Sequence, residues 1–141
     1  MNGFLLDTNV LSELRKGTRC DANVRQWFGT VGAEELFVSV LVLGETRKGI
    51  ERIRARDRES ALALEKWLRA IISEFADRLV QVDLKVADRW GRLGSNQPTP
   101  ILDSLLAATA LVHDLAVVTR DEDGFRDTGA HVINPFVKAV N

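Results

Sequence analysis

Short β-rich apolar runs alternate with stripes of helical period from one end of this chain to the other, and no other feature restricts its fold as much. Phe4-Leu5-Leu6, Leu36-Phe37-Val38-Ser39, Leu79-Val80-Gln81-Val82, Leu115-Ala116-Val117-Val118 and His131-Val132-Ile133 have the length and composition of buried strands. Between them, Val10, Leu11 and Leu14 predict a short helix, and Val24, Trp27, Phe28 and Val31 a second. The pattern predicts further helices over 40–54, 58–76, 84–94 and 101–113, the 40–54 and 58–76 helices pairing as a hairpin. The last of these is apolar nearly all round and must be buried, with Thr99 and Pro100 offering a cap and a first-turn proline. Strand and helix in alternation predict a parallel sheet covered by helices on both faces, a three-layer α/β/α sandwich. With 141 residues, 45% of them hydrophobic, residues 1–141 can bury one core as a single domain. The chain shows no repeat or interdomain linker, and its one Pro-rich polar stretch, 95–100, reads as a loop. No apolar run reaches the ~18 residues of a membrane span, no signal-peptide pattern opens the chain, and Cys20 has no second cysteine to pair with. A cytoplasmic protein is expected.

Acids stand where such a fold places them least comfortably. Asp7 follows a strand expected to be central, and Asp121 comes three residues after Val118. In open parallel sheets ligands bind at the carboxyl ends of the strands. Asp103 lies in the first turn of the buried helix, whose return into the Leu115 run brings its start to the same edge and so close to Asp121. Glu45 sits at the border of the apolar arc of its helix, beside Arg52. Each acid also has a plain structural reading: Asp7 a helix cap, Asp103 a helix-dipole partner, Glu45 a partner of Lys48 or Arg52, Asp121 a turn anchor. Together, converging carboxylates without cations repel one another and call for a divalent ion; oxygen ligands with only two histidines in the chain favour magnesium or manganese over zinc.

The blocks Phe4-Leu5-Leu6-Asp7-Thr8-Asn9-Val10-Leu11-Ser12-Glu13-Leu14, Val38-Ser39 through Gly44-Glu45-Thr46-Arg47-Lys48-Gly49-Ile50, Pro100-Ile101-Leu102-Asp103-Ser104 and Val117-Val118-Thr119-Arg120-Asp121 resemble, in order and spacing, the PIN-domain nucleases. The similarity is to their VapC-like toxin branch, FitB-like subgroup, and extends from Phe4 to about Phe136. The resemblance implies a five-stranded parallel sheet between helices and a metal-dependent ribonuclease toxin. It also implies Mg2+ or Mn2+ as cofactor, RNA as substrate, a homodimer, and a cognate antitoxin that occupies the acidic site. Carried over by position, Asp7, Glu45, Asp103 and Asp121 match the acidic quartet, with Asp7 and Asp103 as the main metal ligands. Thr8 or Asn9 would order the first loop, and Thr119 matches a supporting hydroxyl. In one place the chain departs from the pattern: the family often carries an acid immediately before the phenylalanine that here is Phe125, but Gly124 stands there and Asp123 one residue earlier.

Charge adds a second clue. The stretch from Arg47 to Arg58 carries six cations against two acids, a net +4 that leaves −5 for the rest of the chain. Arg47, Lys48 and Arg52 are therefore candidate contacts for RNA phosphates or for the antitoxin, against the plainer reading of a solvated helix end. Trp27, Trp67 and Trp90 lie on apolar stripes and read as packing residues. Of the rival functions, a haloacid-type phosphoryl-transfer domain wants an acid where Asn9 stands. The other, a catalytically idle RNA- or protein-binding module on the same fold, is opposed by the complete quartet.

Overall fold

The computed structural model describes residues 2–93 and 99–138. Most of the 95–100 stretch and residue 94 lie outside this range. Five strands, β1 (Gly3–Leu6), β2 (Leu36–Ser39), β3 (Leu79–Val80), β4 (Leu115–Val118) and β5 (Val132–Ile133), form one parallel sheet in the order β3-β2-β1-β4-β5. The order reverses direction at β1, so the boundary between β1 and β4 is the switch point at which a crevice opens above the carboxyl ends. All four residues of β4 are buried, as both-faced burial requires.

Among the described residues six α-helices connect the strands: α1 (Thr8–Leu14), α2 (Ala22–Phe28), α3 (Val40–Arg54), α4 (Arg58–Glu74), α5 (Leu84–Arg92) and α6 (Ile101–His113). Asp7, Asp21, Ser39, Asp57 and Asp83 each accept a backbone N–H at the start of the helix that follows, which fixes where α1 to α5 begin. The α2 stripe runs past its helix: Gly29 ends α2, and Val31 packs on the core from the following turn. At α6, Pro100 itself is the N-cap and no side chain caps the first-turn N–H groups, so Thr99 does not cap it.

The core joins Leu5 and Leu6 of β1, Val10 and Leu11 of α1, Val38, Val117 and Val118 of the sheet, and Leu106 and Ala110 of α6. A second cluster of Ile50, Ala61 and Leu68 holds the α3–α4 hairpin together. On the hairpin surface Arg47 reaches Glu65 at 2.6 Å, and Arg54 reaches Glu51 at 2.9 Å and Glu65 at 3.2 Å. Arg47 and Arg54 are thereby committed to the hairpin. Trp67 packs against both clusters and Trp27 stacks edge-on with Phe4, whereas Trp90 is 41% exposed and donates its indole N–H to Ser104 Oγ at 2.9 Å. Among the described residues no helix is long and apolar enough to cross a membrane.

Candidate active site

Strand register builds the site. Leu6 pairs with Val118, and the Asp7 N–H continues the ladder to Val118 O at 2.9 Å, so Asp7 and Thr119 leave the sheet side by side. Asp7 is 7% exposed, and its two oxygens have separate duties. Oδ1 accepts the Thr8 N–H at 2.8 Å and caps α1; Oδ2 accepts the Thr119 hydroxyl at 2.8 Å. Thr119 Oγ1 in turn accepts from Asn9 Nδ2 at 3.2 Å and from the Asp121 N–H at 3.0 Å. The fully buried Thr119 hydroxyl thus ties the ends of β1 and β4 together. Asn9 completes the tie by accepting the Arg120 N–H at 3.1 Å.

The other acids enter from the flanks. The Thr8 hydroxyl donates to Glu45 Oε1, which draws the exposed α3 carboxylate toward the end of β1. Neither Lys48 nor Arg52 pairs with Glu45. Asp103, in the first turn of α6, and Asp121 stand on either side of Gly124, whose N–H donates to Asp121 Oδ1 at 3.1 Å. A Cβ on residue 124 would lie 2.4 Å from Asp103 Oδ2 and 2.7 Å from Asp121 Oδ2. A side chain at residue 124 would therefore make one or both carboxylates turn. The residue pattern exposed this glycine only as a departure; its contact with both acids needed the fold.

Electrostatics marks the four acids as one group. Burial pushes the Asp7 carboxyl up, against the Thr119 and Thr8 hydrogen bonds that favour its charge, and repulsion from Glu45 and Asp121 adds to the rise. Asp103 is pushed up to about 6, first by desolvation and then by Asp7, Asp121 and Glu45. Among the described residues no Lys, Arg or His forms an ion pair with any of the four. The acids share one field without forming a closed cage: no group of three lies at ligand spacing among the described residues. Their donors are all carboxylate oxygens, which suits a hard divalent cation. Asp123 is turned to another task, pairing with Arg126.

Residues 4–130 match the PIN domain family. This chain belongs to that family. The PIN domain described here is 30% identical over 141 residues to VapC ribonuclease Y4jK of Sinorhizobium fredii, an alignment that covers 96% of this chain and 99% of the relative. It is likewise 30% identical over 138 residues to the toxin FitB of Neisseria gonorrhoeae, covering 94% and 98%. Its fold superimposes with a TM-score of 0.86 on a chain of the FitAB complex bound to the IR36 DNA fragment, at 26% identity and with 97% and 98% of the two chains covered. The five-stranded parallel PIN fold expected from the sequence is the one observed.

Proposed function

We propose that this PIN domain is a metal-dependent endoribonuclease toxin that hydrolyses RNA phosphodiester bonds at the cluster of Asp7, Glu45, Asp103 and Asp121. The observation that carries the reading is the convergence of the four acids on one edge of the sheet, with no ion pair to any of them among the described residues. The names of its relatives, a VapC ribonuclease and a FitB toxin, support the reaction class.

Asp7 and Asp103 are the main ligands for Mg2+ or Mn2+ in this reading, and Glu45 and Asp121 complete the set directly or through water. When bound, the ion would neutralise the phosphate, acidify a water for attack and stabilise the departing oxyanion. The chain's own residues orient the acids one by one. Thr119 fixes the rotamer of Asp7, Asn9 locks the β4 loop to α1, Thr8 holds Glu45, and Gly124 keeps Asp103 and Asp121 from being wedged apart. Raised affinity of Asp103 for a proton is the expected signature of carboxylates awaiting a positive charge.

The likeness to a chain of the FitAB complex and to a relative named a toxin supports an antitoxin as partner, which would present an Arg or Lys to the acids in place of the metal; a homodimer acting on cytoplasmic RNA belongs to the same proposal. Purified protein should cleave RNA with Mg2+ or Mn2+ and lose cleavage in EDTA. Folded Asp7→Asn and Asp103→Asn variants should be inactive; undiminished cleavage by either would overturn the assignment, and a wild-type protein that binds RNA without ever cutting it would make the domain an idle binding module.

A further inference from the structure

The basic stretch divides in the structure into two sets with different work. Arg47 and Arg54 face α4 and are held by Glu51 and Glu65. Lys48 and Arg52 face elsewhere: at i+3 and i+7 from Glu45, they continue its row along α3, both exposed and neither paired with an acid. The row lies on the side of α3 turned to α1, because Glu45 itself is held by Thr8 at the start of α1.

Beyond Arg52, from Ile53 and Arg56 onward, the chain borders a groove of about 510 Å³ between the C-terminal end of α1 and the far end of the hairpin. Arg15 and Arg56 stand on its rim, and Ile53, Leu64 and Trp67 supply an apolar lining. Its one acid, Asp57, is bonded to Ser60 N at 3.1 Å and Ser60 Oγ at 2.6 Å as the cap of α4. Seven residues of helix separate Glu45 from Arg52, about 10 Å at 1.5 Å per residue. The α3 row therefore runs from Glu45, beside the other three acids, to Lys48 and Arg52, and Arg15 and Arg56 line the groove beyond, Arg56 also favouring the charge of Asp57.

We infer that the α1–α3 seam is the track of the substrate strand: Lys48 and Arg52 hold successive phosphates of single-stranded RNA, and the groove between Arg15 and Arg56 receives a nucleotide beyond them, more than about 10 Å from Glu45. The charge arrangement selects this occupant. A polyanion placed along the row meets cations at each step and reaches the carboxylates only where a metal would compensate them, which positions one phosphate for cleavage. The apolar lining gives a splayed base a surface to pack on, as single-stranded RNA readers use.

This inference rests on the nuclease reading, and its test separates the two. The triple variant Lys48→Ala, Arg52→Ala, Arg56→Ala is made in the Asp7→Asn background, so that RNA binding is measured without cleavage. Fluorescence anisotropy with a labelled, unstructured single-stranded RNA is run across a salt series. A matched control removes Arg25, Lys66 and Lys85, exposed cations of α2, α4 and α5. Loss of the two phosphate contacts of Lys48 and Arg52, with Arg56 removed from the groove, should weaken binding by at least about tenfold and make the slope of log K against log salt shallower by about 1.4, at ~0.7 per contact, with the control unchanged. In the otherwise wild-type enzyme the same triple substitution should raise KM with little change in kcat. Equal loss in control and triple variants would overturn the track by showing a net-charge effect. Unchanged RNA binding alongside lost inhibition by the antitoxin would overturn it by assigning the seam to protein recognition. A wild-type protein that binds RNA with the predicted slope but never cleaves it would leave the track standing and remove the nuclease reading alone.

Discussion

Replacing Asp103 by asparagine should make the metal-free protein more stable while abolishing its activity. The carboxyl is pushed up to about 6 from the ordinary 3.8, which at 1.36 kcal/mol per pH unit corresponds to about 3 kcal/mol of unfavourable charge at neutral pH. Asp103 is only partly buried, so solvent screening reduces this to about 1–2 kcal/mol. Opposing it, a carboxylate in the first turn of α6 gains about 0.3–1 kcal/mol from the helix dipole, which asparagine forfeits. The net gain expected for Asp103→Asn at pH 7.5 in EDTA is about 1 kcal/mol, a rise in Tm of roughly 3–4 °C for a chain of this size. The sign follows from linkage. A carboxyl whose folded-state pKa is raised binds more protons folded than unfolded, so it costs the folded state progressively more as pH climbs from about 4 through about 6. The advantage of the variant should therefore be largest above pH 7 and shrink toward zero near pH 4. Differential scanning calorimetry of both proteins across pH 4–8, with and without Mg2+, measures it; added Mg2+ should raise the Tm of the wild type more than that of the variant. A variant less stable than wild type at pH 7.5 in EDTA would refute the reasoning and make Asp103 a helix-dipole partner.

Gly124→Ala places a methyl group 2.4 Å from Asp103 Oδ2, so one or both carboxylates must turn away. RNA cleavage should fall at least about tenfold while Tm changes by no more than a few degrees, as expected when a positioned group is displaced at the surface. Wild-type kcat/KM in that variant would show that the Asp103–Asp121 spacing is not needed. Thr119→Val keeps the shape of the buried side chain but removes the hydroxyl that serves Asp7, Asn9 and Asp121, and should destabilise the fold by about 1–3 kcal/mol in urea titrations. Thr119→Ser should recover most of that loss, and an equal loss in the serine variant would place the effect in methyl packing.

Two of the plain structural readings of the acids hold in the fold, and the pairing of Glu45 with Lys48 or Arg52 does not. Asp7 does cap α1, but with one oxygen, which leaves the other for Thr119; Asp121 does anchor a turn, through the Gly124 N–H. A helix cap and a strand end are the same place in a parallel fold, because each strand runs directly into its helix. The basic stretch is a different case. Residue spacing along α3 placed Lys48 and Arg52 on the row of Glu45, but that Arg47 is engaged depends on Glu65, eighteen positions away on another helix.

Periodicity and punctuation in the chain determined the alternation, where each strand begins to within a residue or two, and the starts of α1 to α5, since each follows from contacts within a few residues: apolar stripes, capping side chains, a central run of β-rich residues. The motif blocks likewise marked the four acids one at a time. What the tertiary structure decided is everything that depends on residues far apart in the chain: the strand order that puts the switch point at β1 and β4, the Thr119 hydroxyl shared by three partners, the opening kept by Gly124, and the division of the cations between a hairpin and a seam. Hydrogen-bond partners and electrostatic neighbours are set by distance in space, and a parallel sheet with long crossovers makes distance in space nearly independent of distance along the chain.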